Sequence, residues 1–150
     1  MNNNVRLQNL RDFTVQIRHP SDETIVGTGI AVTMDGQVVT CAHVVEAALE
    51  VHPRQADGAE VGVYFPQARG GEEKARRARV TACFPQHDDD VVLLQLTGGA
   101  APLAPEQIPV LGTAEMSDDH PFRSYGYRRL EKYIAGHAHL NACMLKGGQL

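Results

Sequence analysis

No stretch of the 150-residue chain approaches the roughly 20 consecutive apolar residues of a membrane-spanning helix, and the opening Met-Asn-Asn-Asn-Val-Arg lacks the apolar core of a secretory signal. A cytoplasmic chain with no membrane partner is the expectation. Positive charge is also short, since 14 Lys and Arg against 18 Asp and Glu leave a net charge of −4, so no phosphate backbone is expected as a partner. Cysteine is scarce and odd in number. Cys41, Cys83 and Cys143 include no C-x-x-C pair, which argues against a secreted disulfide framework and predicts reduced, mostly buried thiols. Internal repeats and low-complexity tracts are absent as well.

What remains is a series of short runs with strand chemistry, separated by Gly, Pro, Asp and mixed charge, the pattern of an all-β sandwich or barrel. The runs are Phe13–Ile17, Ile25–Thr33, Gln37–Thr40, Glu60–Phe65, Ala78–Phe84 and Val91–Leu96. Gly27 and Gly29 interrupt the second and predict a bulge or a close backbone approach. Met34-Asp35-Gly36 carries the Asp-Gly signal of a tight hairpin. Val44–Leu49 reads as one or two helical turns ending before Pro53. Val91–Leu96 is nearly all apolar and predicts a well-buried strand. The segment Gln67–Arg77 has charge and glycine without apolar periodicity and predicts an exposed loop. Lys74, Arg76, Arg77 and Arg79 stand near Glu72 and Glu73 with no interleaved aromatic residue, so a solvated surface is expected there rather than a nucleic-acid patch. Prolines 102, 105 and 109 mark residues 100–109 as an extended connector between folding units. Beyond it, Phe122–Tyr125 and Tyr133–Ala135 have strand character, and His137–Leu150 has no clear period.

Chemistry concentrates at two points. Thr40-Cys-Ala-His43-Val-Val places a histidine where a strand meets a helix, shortly after Gly27-Thr-Gly-Ile-Ala-Val32, and Asp90-Val-Val-Leu-Leu-Gln-Leu96 places a carboxylate at the head of the apolar strand. An imidazole takes and returns protons near neutral pH, and a carboxylate on its second ring nitrogen fixes the tautomer and stabilises the imidazolium. Asp88 and Asp89 compete for that role. Asp90 is preferred because it immediately precedes the strand, where its side chain can be held against the core.

These segments, in this order, resemble the G-[ST]-G, T-A-A-H-V and D-[IV]-A-[LV]-L-x-[LV] segments of trypsin-like serine proteases, in particular the bacterial high-temperature-requirement and glutamyl-endopeptidase-like groups, with Cys41 in place of the first alanine. Phe122–Arg128 is similar to the G-[YF]-[PG] segment that opens the second barrel, although Arg128 departs from it. The resemblance implies an all-β, trypsin-like antiparallel β-barrel fold. It divides the chain into an N-terminal extension (1–12), a first barrel with His43 and Asp90 (13–99), a linker (100–109) and the incomplete start of a second barrel (110–150). It further implies peptide-bond hydrolysis by a Ser-His-Asp triad, with His43 as general base and Asp90 as its orienting group, a peptide or protein as substrate, and no cofactor or metal.

The family's G-x-S-G-G segment is missing. After Asp90 the only serines are Ser117 and Ser124, and neither is followed by Gly-Gly. Cys143 has its glycines too late to serve instead, and His137, His139 and Cys143 lack the second cysteine pair of a zinc finger. The expectation is a domain truncated before its nucleophile and inactive alone, with fused or partner domains in a longer product. The activation site of pancreatic-type zymogens is also missing ahead of Phe13. A non-catalytic peptide- or partner-binding module is the alternative, and a metal-binding scaffold unrelated to proteases is a third reading.

Overall fold

Short strands that alternate inward and outward side chains satisfy their backbone groups fully only when the sheet has no free edge. The computed structural model, which describes residues 10–56, 58–68, 74–83, 90–99, 102–111, 123–127 and 142–146, meets that condition with six strands. They are β1 (Thr14–Arg18), β2 (Ile25–Ala31), β3 (Gln37–Thr40), β4 (Glu60–Tyr64), β5 (Ala75–Cys83) and β6 (Val92–Leu96). Their order around the closed barrel is β1-β2-β3-β6-β5-β4, and every pairing is antiparallel. Pairing of β1 with β4, with Ile17 opposite Val63, closes the ring. The expected mostly β, trypsin-like barrel is what the chain forms.

The alternation fills the barrel. Val15, Ile17, Ala31, Val38, Val61, Val63, Ala78, Val92 and Leu94 are buried in one apolar cluster with Phe65. In β6 only Val92 and Leu94 are fully enclosed, so this strand alternates more than its continuous apolar sequence suggests. The Asp-Gly hairpin forms as expected. The Gly36 N–H donates to the Thr33 carbonyl at 3.1 Å, and Gly36 takes φ +94°, a conformation that favours glycine. The β1–β2 register also slips between Ile17 and Arg18, opposite Gly27 and Ile25, which is a bulge where the glycine pattern predicts one.

Helix α1 (Ala42–Leu49) crosses between β3 and β4 and buries Ala42, Val44, Val45 and Ala48 against the barrel. Its close approach explains Gly27, since a β-carbon there would lie 2.6 and 2.7 Å from the two methyl carbons of Val44. The helix ends at Glu50, which adopts a left-handed conformation and returns its N–H to the Glu46 carbonyl at 2.8 Å. Among the described residues, no helix is long and apolar enough to cross a membrane.

Three segments differ from the sequence reading. β5 begins at Ala75, so Arg76 and Arg77 belong to a strand, not to the loop of 67–77. Barrel pairing supplies what periodicity lacks there, with Val63 opposite Arg76 and Gly62 opposite Arg77. In the 102–111 segment Leu103 is only 2% exposed, and its N–H donates to the Met34 carbonyl at 2.8 Å before a 3-10 turn at Pro105–Gln107. Last, β7 (Arg123–Tyr127) pairs with β8 (Ala142–Lys146), a strand inside the stretch that shows no period. Tyr133–Ala135 lies outside the described residues.

Candidate active site

β3 and β6 are neighbours with Thr40 opposite Val92. Following that antiparallel register beyond the paired residues, the chain leaving β3 runs beside the chain entering β6. This brings the start of α1 to Asp90 from far along the sequence. Cys41, at the N-cap position, is extended and contributes no side-chain cap. Asp90 fills that role from the segment entering β6.

The Asp90 carboxylate makes two kinds of contact. Oδ1 accepts the backbone N–H of His43 at 2.9 Å, and Oδ2 meets Nδ1 of the His43 ring in a very short contact. The Ala42 N–H adds to the hydrogen bonding, and the His43 N–H is the largest of the influences that hold the Asp90 carboxyl below the usual carboxylate range. N–H groups at a helix start carry positive charge that favours an anion. The expected helix therefore starts at Ala42, two residues before Val44, because its first free donors find an acceptor in Asp90.

Both side chains face solvent, at 71% exposure for His43 and 47% for Asp90. With Nδ1 engaged, Nε2 is the ring nitrogen left over, and among the described residues it has no hydrogen-bond partner. Such an imidazole can accept a proton from a group presented at Nε2 while its charge is balanced from behind.

Two neighbours escaped the sequence reading. Cys41 is partly buried, as is Cys83, rather than enclosed as expected for these thiols. One ligand atom each from Cys41, His43 and Asp90 lie within 4.8 Å of one another. Burial, and then the charge of Asp90, push the Cys41 thiol up. Its replacement of alanine in the motif was the available signal. Thr28 is the second. Its Oγ1 accepts the Tyr127 N–H at 2.6 Å and donates to the Tyr127 carbonyl at 2.9 Å, while the Thr28 carbonyl accepts Thr40 Oγ1 at 2.7 Å. Thr28 thus ties β7 to the barrel strand next to the His43 turn.

Asp88, Asp89, Ser117, His137 and His139 lie outside the described residues. Ser124 is paired with Leu145 within β7, and Cys143 with Gly126 within β8.

A family model for the trypsin-like peptidase domain matches residues 27–145, which takes in most of β2, the His43 turn, Asp90, β7 and nearly all of β8. No curated protein sequence is similar enough to match. Among solved structures, the chain is similar to the MamO protease domain from Magnetospirillum magneticum in its apo form, at 20% identity and a TM-score of 0.45. That similarity covers 65% of this chain and 44% of the other, so it spans less than half of that protein's length.

Proposed function

Because the chain belongs to the trypsin-like serine peptidase family, we propose that it carries the base half of a peptide-bond hydrolase, with His43 as general base and Asp90 as the group that orients it. The contact between His43 Nδ1 and Asp90 Oδ2 carries this reading, because it leaves Nε2 as the ring atom that can exchange a proton with substrate. As a serine oxygen attacks the carbonyl carbon of a peptide, Nε2 takes the hydroxyl proton and passes it to the departing amine nitrogen. Asp90 keeps the remaining ring proton on Nδ1 and balances the imidazolium charge. The reading requires a serine in G-x-S-G-G surroundings, and neither Ser117 nor Ser124, the serines after Asp90 in residues 1–150, has them.

The test is to read the coding sequence beyond codon 150 for that segment and to assay the longer product on casein or a fluorogenic peptide library. Hydrolysis abolished by His43→Ala, with the 1–150 chain inert alone, is the expected result. Absence of the segment, or hydrolysis that survives His43→Ala, would overturn the reading.

A further inference from the structure

A catalytic histidine held only by its aspartate has no use for a thiol beside it. Here Cys41 supplies one, and it brings to a single point the three ligand types that divalent zinc accepts. The three atoms lie within 4.8 Å of one another, and two of the three residues are exposed, so an ion can reach them from solvent. Ligand atoms on a tetrahedral zinc with bonds of about 2.0–2.3 Å stand roughly 3–4 Å apart, so the very short contact between His43 Nδ1 and Asp90 Oδ2 has to part for the ion to enter, while Cys41 Sγ lies within 4.8 Å of both.

We propose that Cys41, His43 Nδ1 and Asp90 Oδ2 form a site for a thiophilic divalent cation, Zn2+ being the probe, whose occupation switches the imidazole off as a base. The ion takes the place of the proton between Nδ1 and Oδ2, and that ring proton moves to Nε2. The thiol proton leaves to solvent as sulfur becomes a ligand. Asp90 Oδ1 keeps its hydrogen bond from the His43 N–H, so the helix start is undisturbed. With Nε2 protonated and Nδ1 on the metal, the neutral ring has no lone pair for a substrate proton. Thiolate sulfur selects Zn2+ over Mg2+ or Ca2+, which prefer oxygen. The inhibitory consequence rests on the reading of His43 as general base, whereas the site itself does not.

The experiment titrates the full, reduced chain with Co2+, followed by displacement with Zn2+. A near-ultraviolet thiolate-to-cobalt band is expected, bleached by Zn2+ and weakened by about tenfold or more in affinity by Cys41→Ala and by His43→Ala, but not by Cys83→Ser or Cys143→Ser. No band, or a band indifferent to Cys41→Ala, overturns the proposal. Should the variants fail to fold, the unaltered protein still decides it. Long-range 1H–15N correlation of the His43 ring must show the proton moving from Nδ1 to Nε2 on Zn2+ addition, and a proton that stays on Nδ1 overturns the site. Neither readout needs peptidase activity, so a bound ion together with hydrolysis that survives His43→Ala would separate failure of the base reading from failure of the site.

Discussion

Asp90 meets His43 twice, once at the ring and once at the backbone N–H, so one carboxylate both orients the imidazole and starts the helix that carries it. The two tasks share one charge, and acid should remove both together.

That coupling has a defined sign. The Asp90 carboxyl is held below the usual range, first by the His43 N–H, so its stabilising contribution is complete above about pH 4, where an unfolded aspartate is ionised, and is lost as pH falls through the folded value. Asp90→Asn keeps an acceptor for the His43 N–H and removes the charge, so it is expected to cost about 0.3–1 kcal/mol at neutral pH, kept small by the exposed position of the carboxylate. Urea unfolding of both proteins should show the difference narrowing as the pH is lowered toward about pH 3. A difference that persists unchanged in acid would count against the linkage.

Gly27 lies under Val44, the residue after His43. Gly27→Ala forces a β-carbon to within 2.6 Å of a Val44 methyl and is expected to destabilise by about 1–3 kcal/mol. Adding Val44→Ala removes the two closest carbons and leaves the Val44 β-carbon at 3.2 Å, so the double variant should be less destabilised than the two single changes predict together. Additive costs would mean that the two residues are not in contact.

The bracket that Thr28 forms around Tyr127 leaves two backbone groups without partners when its hydroxyl is removed. Thr28→Val is expected to cost about 1–3 kcal/mol and to speed hydrogen exchange at the Tyr127 amide, whereas Thr28→Ser should retain protection. Equal exchange in all three proteins would show that β7 does not depend on the hydroxyl.

Leu103 offers a test of the connector. At 2% exposure within the apolar cluster, Leu103→Ala should cost about 2–4 kcal/mol, as a core truncation does, and thermal or urea unfolding would measure it. A change of a few tenths would place this segment outside the folded unit.

The parts legible in the sequence are those in which one local signal is sufficient. Asp35-Gly36 sets its turn by backbone conformation, and the apolar run after Asp90 marks β6. The meeting of His43 with Asp90 was expected from motif order and the pattern of strands. Other features depend on distant partners. Lys74-Ala-Arg-Arg77 has no apolar period, and its strand start comes from pairing with β4. β8 likewise owes its place to β7. Ala42 and His43 join the helix because a carboxylate just ahead of β6 accepts their N–H groups, which no helix propensity reports. Leu103 stands among prolines that suggest a tether, yet its side chain completes the apolar cluster.

The acceptor for the first turn of α1 arrives only when β6 lies beside β3, and the β4–β5 hairpin comes between them in the chain. Local order in 42–49 therefore cannot mature ahead of a pairing with a high loop-closure cost. A chain emerging from the ribosome presents His43 well before Asp90 is available to it. A nascent chain therefore holds His43 without its carboxylate, and the imidazole is oriented only once β6 has joined the barrel.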